Sequence, residues 1–64
     1  MGKIFYVAIH TFRARKSTEL SFEEGQEILF IKDYCEGWAR GEIEDTGQVG
    51  LYPTNFVIAE VKRA

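Results

Sequence analysis

Little cysteine, little proline and little excess charge mark this sequence, which has one Cys, one Pro and a formal net charge of −2. Cys35 has no second cysteine to pair with, so stability must come from packing, which suits a reducing compartment and leads us to expect a cytoplasmic protein. One cysteine and one histidine leave too few ligands for structural zinc, and no metal or other cofactor is expected. With a pI near 5.3 the chain carries no field for holding phosphates, so nucleic acid is not an expected partner. No apolar run approaches the roughly 18 residues of a membrane span, and direct membrane insertion is not expected either. Met1-Gly2 does not fit the myristoylation pattern, which wants Ser or Thr where Tyr6 stands. Catalysis would need converging groups such as a nucleophile beside a base. One His, one Cys and dispersed carboxylates in a chain too short to enclose a substrate point to a protein that is not an enzyme.

What is present is ordinary for a globular domain: 45% hydrophobic and 28% charged residues, with five Phe, three Tyr and one Trp to fill a small core. At 64 residues there is room for one domain, which buries only about 60% of the surface its unfolded chain exposes. We expect the domain over 4–60, with 1–3 a start or cloning remnant and 61–64 a tail.

Along the chain, Lys3 to Phe12 is rich in β-branched and aromatic residues without a helical stripe, and reads as a strand. Arg13 to Thr18 is polar, and Glu19-Leu20-Ser21-Phe22 then alternates before Glu23-Glu24-Gly25 turns the chain, which suggests a long irregular hairpin. Ile28-Leu29-Phe30-Ile31 is apolar on both faces, as in a central strand covered on two sides. Asp33 to Gly37 is a polar loop holding Tyr34 and Cys35, and Trp38 to Ile43 alternates as a half-buried strand. Asp45-Thr46-Gly47 is a turn, with Gly47 free to take positive φ. Val49 to Tyr52 is a strand that Pro53 ends, and Val57 to Ala59 forms one more. Five short strands without a helix imply a small all-β barrel or sandwich. Ala8 and Phe30 are expected in its core.

Five landmarks stand in order: Ala8-Ile9-His10-Thr11-Phe12; Glu19-Leu20-Ser21-Phe22 with Glu23-Glu24-Gly25; Gly37-Trp38; Gly41; and Gly50-Leu51-Tyr52-Pro53-Thr54-Asn55-Phe56-Val57. Together they resemble the signature of Src homology 3 (SH3) domains over nearly the whole chain. The resemblance implies a five-stranded barrel of two packed antiparallel sheets, with an RT loop at Arg13 to Thr18, an n-Src loop at Asp33 to Gly37 and a distal loop at Asp45 to Gly47. It also implies a protein-interaction module, working as a monomer within a signalling, cytoskeletal or membrane-trafficking scaffold. The ligand would be a proline-rich PxxP segment in the polyproline II form, which is already extended and so costs little to order. By that resemblance the peptide-binding face comprises His10, Phe12, Glu19, Glu36, Trp38, Leu51, Pro53, Asn55 and Phe56. His10, Phe12, Pro53 and Phe56 would line two proline slots, and Trp38 would divide them from a charge-selecting pocket. Trp38 and Asn55 would donate to ligand carbonyls, and Glu19, assisted by Glu36, would pair with a ligand Arg or Lys.

The chain departs from the pattern where His10, Phe12 and Phe56 stand in place of family tyrosines. Each lost hydroxyl forfeits a net hydrogen bond of about 0.5–1.5 kcal/mol, so affinity for simple proline-rich peptides should be weak unless a His10 ring nitrogen restores one contact. Arg13, Arg15 and Lys16 make the RT loop basic where strong binders of basic peptides are often acidic, and Thr11 stands where an acid is common. Either the loop only solubilises the surface, or it prefers a partner carrying acidic residues. Phe56 is similar to members of the family that bind ubiquitin, which makes ubiquitin or another folded protein surface an alternative partner. Autoinhibitory docking on the parent chain is a further alternative.

Overall fold

Strands form where the chain is richest in β-branched and aromatic residues. In the computed structural model, which describes the backbone of residues 2–63 and the side chains of residues 2–58, they are β1 (Lys3–Ala8), β2 (Glu27–Cys35), β3 (Trp38–Ile43), β4 (Gln48–Pro53) and β5 (Val57–Arg63). Residue 1 of the expected leading segment and residue 64 of the expected tail lie outside the described residues. Antiparallel pairing joins the strands in the order β4-β3-β2-β1-β5. The two expected sheets are therefore halves of one hydrogen-bonded sheet. Register shifts in β1/β5 and twice in β2/β3 mark irregularities of the kind that bend and twist a sheet. Both edge strands consequently feed one core, where Tyr52 of β4 and Val57 of β5 join Ala8, Leu20, Phe22, Ile28, Ala39 and Ile43.

β1 ends at Ala8, four residues short of the expected Phe12. The Ala8 amide donates to the Gln26 carbonyl and its own carbonyl accepts from Gly25, after which the chain leaves the sheet. The β-formers beyond it serve a different pairing, because Phe12 bridges Phe22 across the RT hairpin with reciprocal backbone bonds of 2.9 and 3.0 Å. Leu20 and Phe22 are buried while Glu19 and Ser21 are only half-buried, as their alternation predicts.

β2 departs in two ways. Of the run Ile28 to Ile31, only Ile28 is buried, and Ile31 is 41% exposed; a single curled sheet has one covered face, so the outer residues stay half-wet. Phe30, expected in the core, is accordingly half-buried and meets Tyr6 edge-on. The strand also runs on to Cys35, opposite Trp38, which reduces the expected loop from Asp33 to Gly37 to a turn at residues 36 and 37. All five residues from Ile31 to Cys35 are exposed, so this stretch pairs through its backbone and leaves no burial pattern to read. The turn after β3 is found at residues 44–47, with Gly47 at φ 76°. A short 3-10 turn over Thr54–Phe56, absent from the sequence reading, joins β4 to β5, and β5 runs past the expected Ala59.

Candidate binding face

Three contacts bring distant segments to one face. Trp38, at the start of β3, is the register partner of Pro53 at the end of β4. The Thr54 amide donates to the Gly37 carbonyl at 2.9 Å, fixing the 3-10 turn against the β2–β3 turn. The Ile9 amide donates to the Phe56 carbonyl at 2.8 Å, which fixes the other end of the 3-10 turn against the strand leading into the RT hairpin.

The rings that result form a row. His10 packs edge-on to Phe56 at 5.5 Å between centroids, Phe56 to Phe12 at 5.5 Å, and Phe12 to Trp38 at 6.1 Å, all within the range of favourable aromatic pairs. Phe12 also packs on buried Phe22 at 5.7 Å, and Phe12 and Phe56 both lie against the core, so the row has a rigid floor. Pro53, opposite Trp38, is buried, His10 and Asn55 are exposed, and Phe12, Trp38 and Phe56 are half-buried. The Trp38 indole N–H, the Asn55 amide and the His10 ring nitrogens have no hydrogen-bond partner among the described residues, so the row presents polar groups to solvent.

Beside this row the RT hairpin approaches β4. Leu20 donates to the Leu51 carbonyl at 2.8 Å and Leu51 to the Thr18 carbonyl at 2.9 Å, with Glu19 and Leu51 forming a parallel bridge. Gly50 permits the approach: a Cβ there would stand 2.8 Å from the Glu19 carbonyl carbon and 2.9 Å from the Leu20 nitrogen. Inside the hairpin, Glu19 Oε1 accepts from the Arg15 amide at 2.8 Å, and Ser21 Oγ accepts from the Ala14 amide at 2.9 Å. Glu19 thus has a local task that the sequence did not reveal, which is to brace the basic loop tip.

A cleft of about 310 Å³ opens between the hairpin and β2, with Glu19, Trp38 and Leu51 in its wall. Lys16 and Thr18 from the hairpin and Tyr34 and Cys35 from β2 complete it. These four were missed as site residues because the hairpin and the outer end of β2, far apart in sequence, supply them, although the 63% exposure of Tyr34 is the kind of feature a binding surface carries. Glu36 is exposed on the β2–β3 turn and does not line this cleft. Among the described residues no group of three His, Cys, Asp or Glu is placed to hold a metal ion, and no helix is long and apolar enough to cross a membrane.

The family model described as a variant SH3 domain matches residues 8–58. The chain belongs to the SH3 family. Human nebulin is 38% identical over 58 residues, and the match covers 91% of this chain and 1% of nebulin. Protein kinase C and casein kinase substrate in neurons protein 2 of Xenopus laevis is 45% identical over 51 residues, covering 78% of this chain and 10% of that protein. This SH3 chain therefore corresponds to a small part of these longer relatives. Among solved structures, the C-terminal SH3 domain of myosin IB from Entamoeba histolytica, bound to EhFP10(GEF) peptide, superposes with a TM-score of 0.80 at 34% identity over 92% of this chain and 93% of that one. The SH3 domain of the yeast actin binding protein Abp1 gives a TM-score of 0.78 at 34% identity, over 83% and 91% of the two chains.

Proposed function

We propose that this SH3 domain is a protein-interaction module that binds proline-rich segments in the polyproline II form, as part of a cytoplasmic scaffold of cytoskeletal or membrane-trafficking type. The observation that carries the reading is the continuous row His10–Phe56–Phe12–Trp38, half-exposed above a fixed core. Gaps between edge-on rings suit the flat pyrrolidine faces of a ligand that has no internal hydrogen bonds. Such a ligand leaves its carbonyls unpaired, and Trp38 and Asn55 offer donors for them. Leu51 and Pro53 would provide apolar surface, Glu19 lines the adjoining cleft, and Glu36, exposed on the β2–β3 turn, would assist it from outside that cleft.

Phe12 and Phe56 carry no hydroxyl, so the face gives a proline-rich ligand fewer polar contacts than a tyrosine-lined one, and modest affinity is expected. The test is an NMR titration of labelled domain with PxxP peptides in both orientations, and with ubiquitin in a parallel series. Shifts of the Trp38 indole and Asn55 amide with peptide are the expected result. Shifts with ubiquitin alone, centred on Phe56, would replace the proline-rich reading with recognition of a folded surface, and silence in both series would end it.

A further inference from the structure

The cleft beside Trp38 does not stop at the RT hairpin. It shares Thr18, Tyr34 and Leu51 with a second groove of about 370 Å³ that continues over the outer face of β3 and β4, where Arg40 and Val49 line it. Alternation along β3 explains the continuity. Trp38, Arg40 and Glu42 point outward while Ala39, Gly41 and Ile43 are buried, so Arg40 is the next outward residue after the tryptophan. Across the sheet Arg40 stands opposite Leu51 on β4 and Lys32 on β2, and residues opposite one another share a face. The groove therefore sets Tyr34, 63% exposed, and Val49, 42% exposed, beside the cation Arg40, with Lys16 in the adjoining cleft and Lys32 across the sheet from Arg40.

The charges near this path are unequal in availability. Lys16, Lys32 and Arg40 make no ion pair or side-chain hydrogen bond among the described residues, where the salt bridge formed is Lys3 with Glu44. Of the acids, Glu19 has one oxygen held by the Arg15 amide, Glu36 is exposed on the turn outside both clefts, and Glu42 stands opposite Val49 at the far end. Asp33 lines a different cleft, with Tyr6 and Tyr52. Arg13 and Arg15 add positive charge on the hairpin.

We propose that the segment flanking the proline core of the ligand runs from the Trp38 cleft into the Tyr34–Arg40–Val49 groove, and that this segment carries acidic residues next to an apolar one. The inference rests on the aromatic row being the proline-binding face. It takes up the acidic partner that the basic RT loop suggested, in place of the basic flank that Glu19 and Glu36 would pair with. The test uses three synthetic peptides with one shared PxxP core, prepared in each orientation: no flank, a flank of alternating Asp and Leu, and a flank of alternating Lys and Leu. Calorimetry should find the acidic peptide about three- to tenfold tighter than the core alone, as two solvent-exposed ion pairs allow, with the advantage shrinking in 0.5 M salt. Arg40→Glu, at an exposed position whose folding is checked by amide dispersion, should abolish that advantage and leave the bare core unaffected. Lys16→Glu should reduce it separately. A bare core that binds with no gain from the acidic flank, or a preference for the basic one, would overturn this inference while sparing the proline-rich reading. Binding of none of the three would overturn both.

Discussion

Trp38 is half-buried, one edge against Phe12 and its indole N–H unpaired among the described residues, and none of the core side chains is completed by it. Trp38→Lys should consequently keep the domain folded, with a stability change of about 1 kcal/mol or less, yet cost more than about 2 kcal/mol of peptide binding, as removal of a buried aromatic anchor does. Paired urea melts and titrations check this, and an unfolded variant would mean that the tryptophan is a core residue. Gly50 behaves oppositely, touching no ligand but letting the hairpin backbone come close. Its added Cβ would meet only backbone atoms at 2.8 to 3.0 Å, which cannot swing aside as a side chain can. Gly50→Ala should destabilise by about 1–3 kcal/mol, the usual cost of overpacking, and speed exchange of the Leu20 and Leu51 amides. Unchanged exchange at those two amides would show that the hairpin is held by something else.

At the scale of elements, alternating burial was legible, whereas the outer half of β2 and the point where β1 leaves the sheet were not. β3 matches its expected limits because alternate residues are buried, and the Leu20/Phe22 alternation was readable for the same reason. The outer half of β2 buries nothing, so its polar sequence read as a loop, and the 3-10 turn is too short for any period to show. The candidate face follows the same logic. His10, Phe12, Trp38 and Phe56 were named through the resemblance and stand in one row, whereas Lys16 meets Tyr34 only through the docking of the RT hairpin on β4, and Tyr34 meets Arg40 only through the pairing of β2 with β3. Within β2 the difference between burial and hydrophobicity can be measured. Ile28→Ala, at a wholly buried position, should cost about 2–5 kcal/mol, a large share of the roughly 3–10 kcal/mol typical for a domain of this size. Phe30→Ala removes more atoms from a half-wet site and should cost about half as much. If denaturant midpoints rank the two the other way, the one-sided covering of β2 is wrong.

For the whole molecule the telling group is Tyr52, which sits between sheet and hairpin, 1% exposed and edge-on to Phe22 at 6.2 Å. Burial pushes its phenol up to about 12 from an ordinary 10.0, with smaller contributions from Tyr6 and Asp33. Between these two values the folded chain keeps the proton and the unfolded chain releases it, so the unfolded state binds fewer protons and stability must fall as pH rises. Below the lower value both states are protonated and the full contribution is present. Stability should thus hold steady to about pH 10 and decline from there towards pH 12. Lys3, raised above its ordinary 10.5 chiefly by its hydrogen bond to Glu44, acts in the same direction but from an exposed position, where little is at stake. Tyr52→Phe separates the two, because it keeps the packing ring and removes only the titrating hydroxyl. Urea midpoints measured from pH 8 to pH 11.5 should fall less steeply in the variant than in the parent chain. Parallel curves would mean that the alkaline limit of this fold is set elsewhere than at the junction of β4 with the RT hairpin.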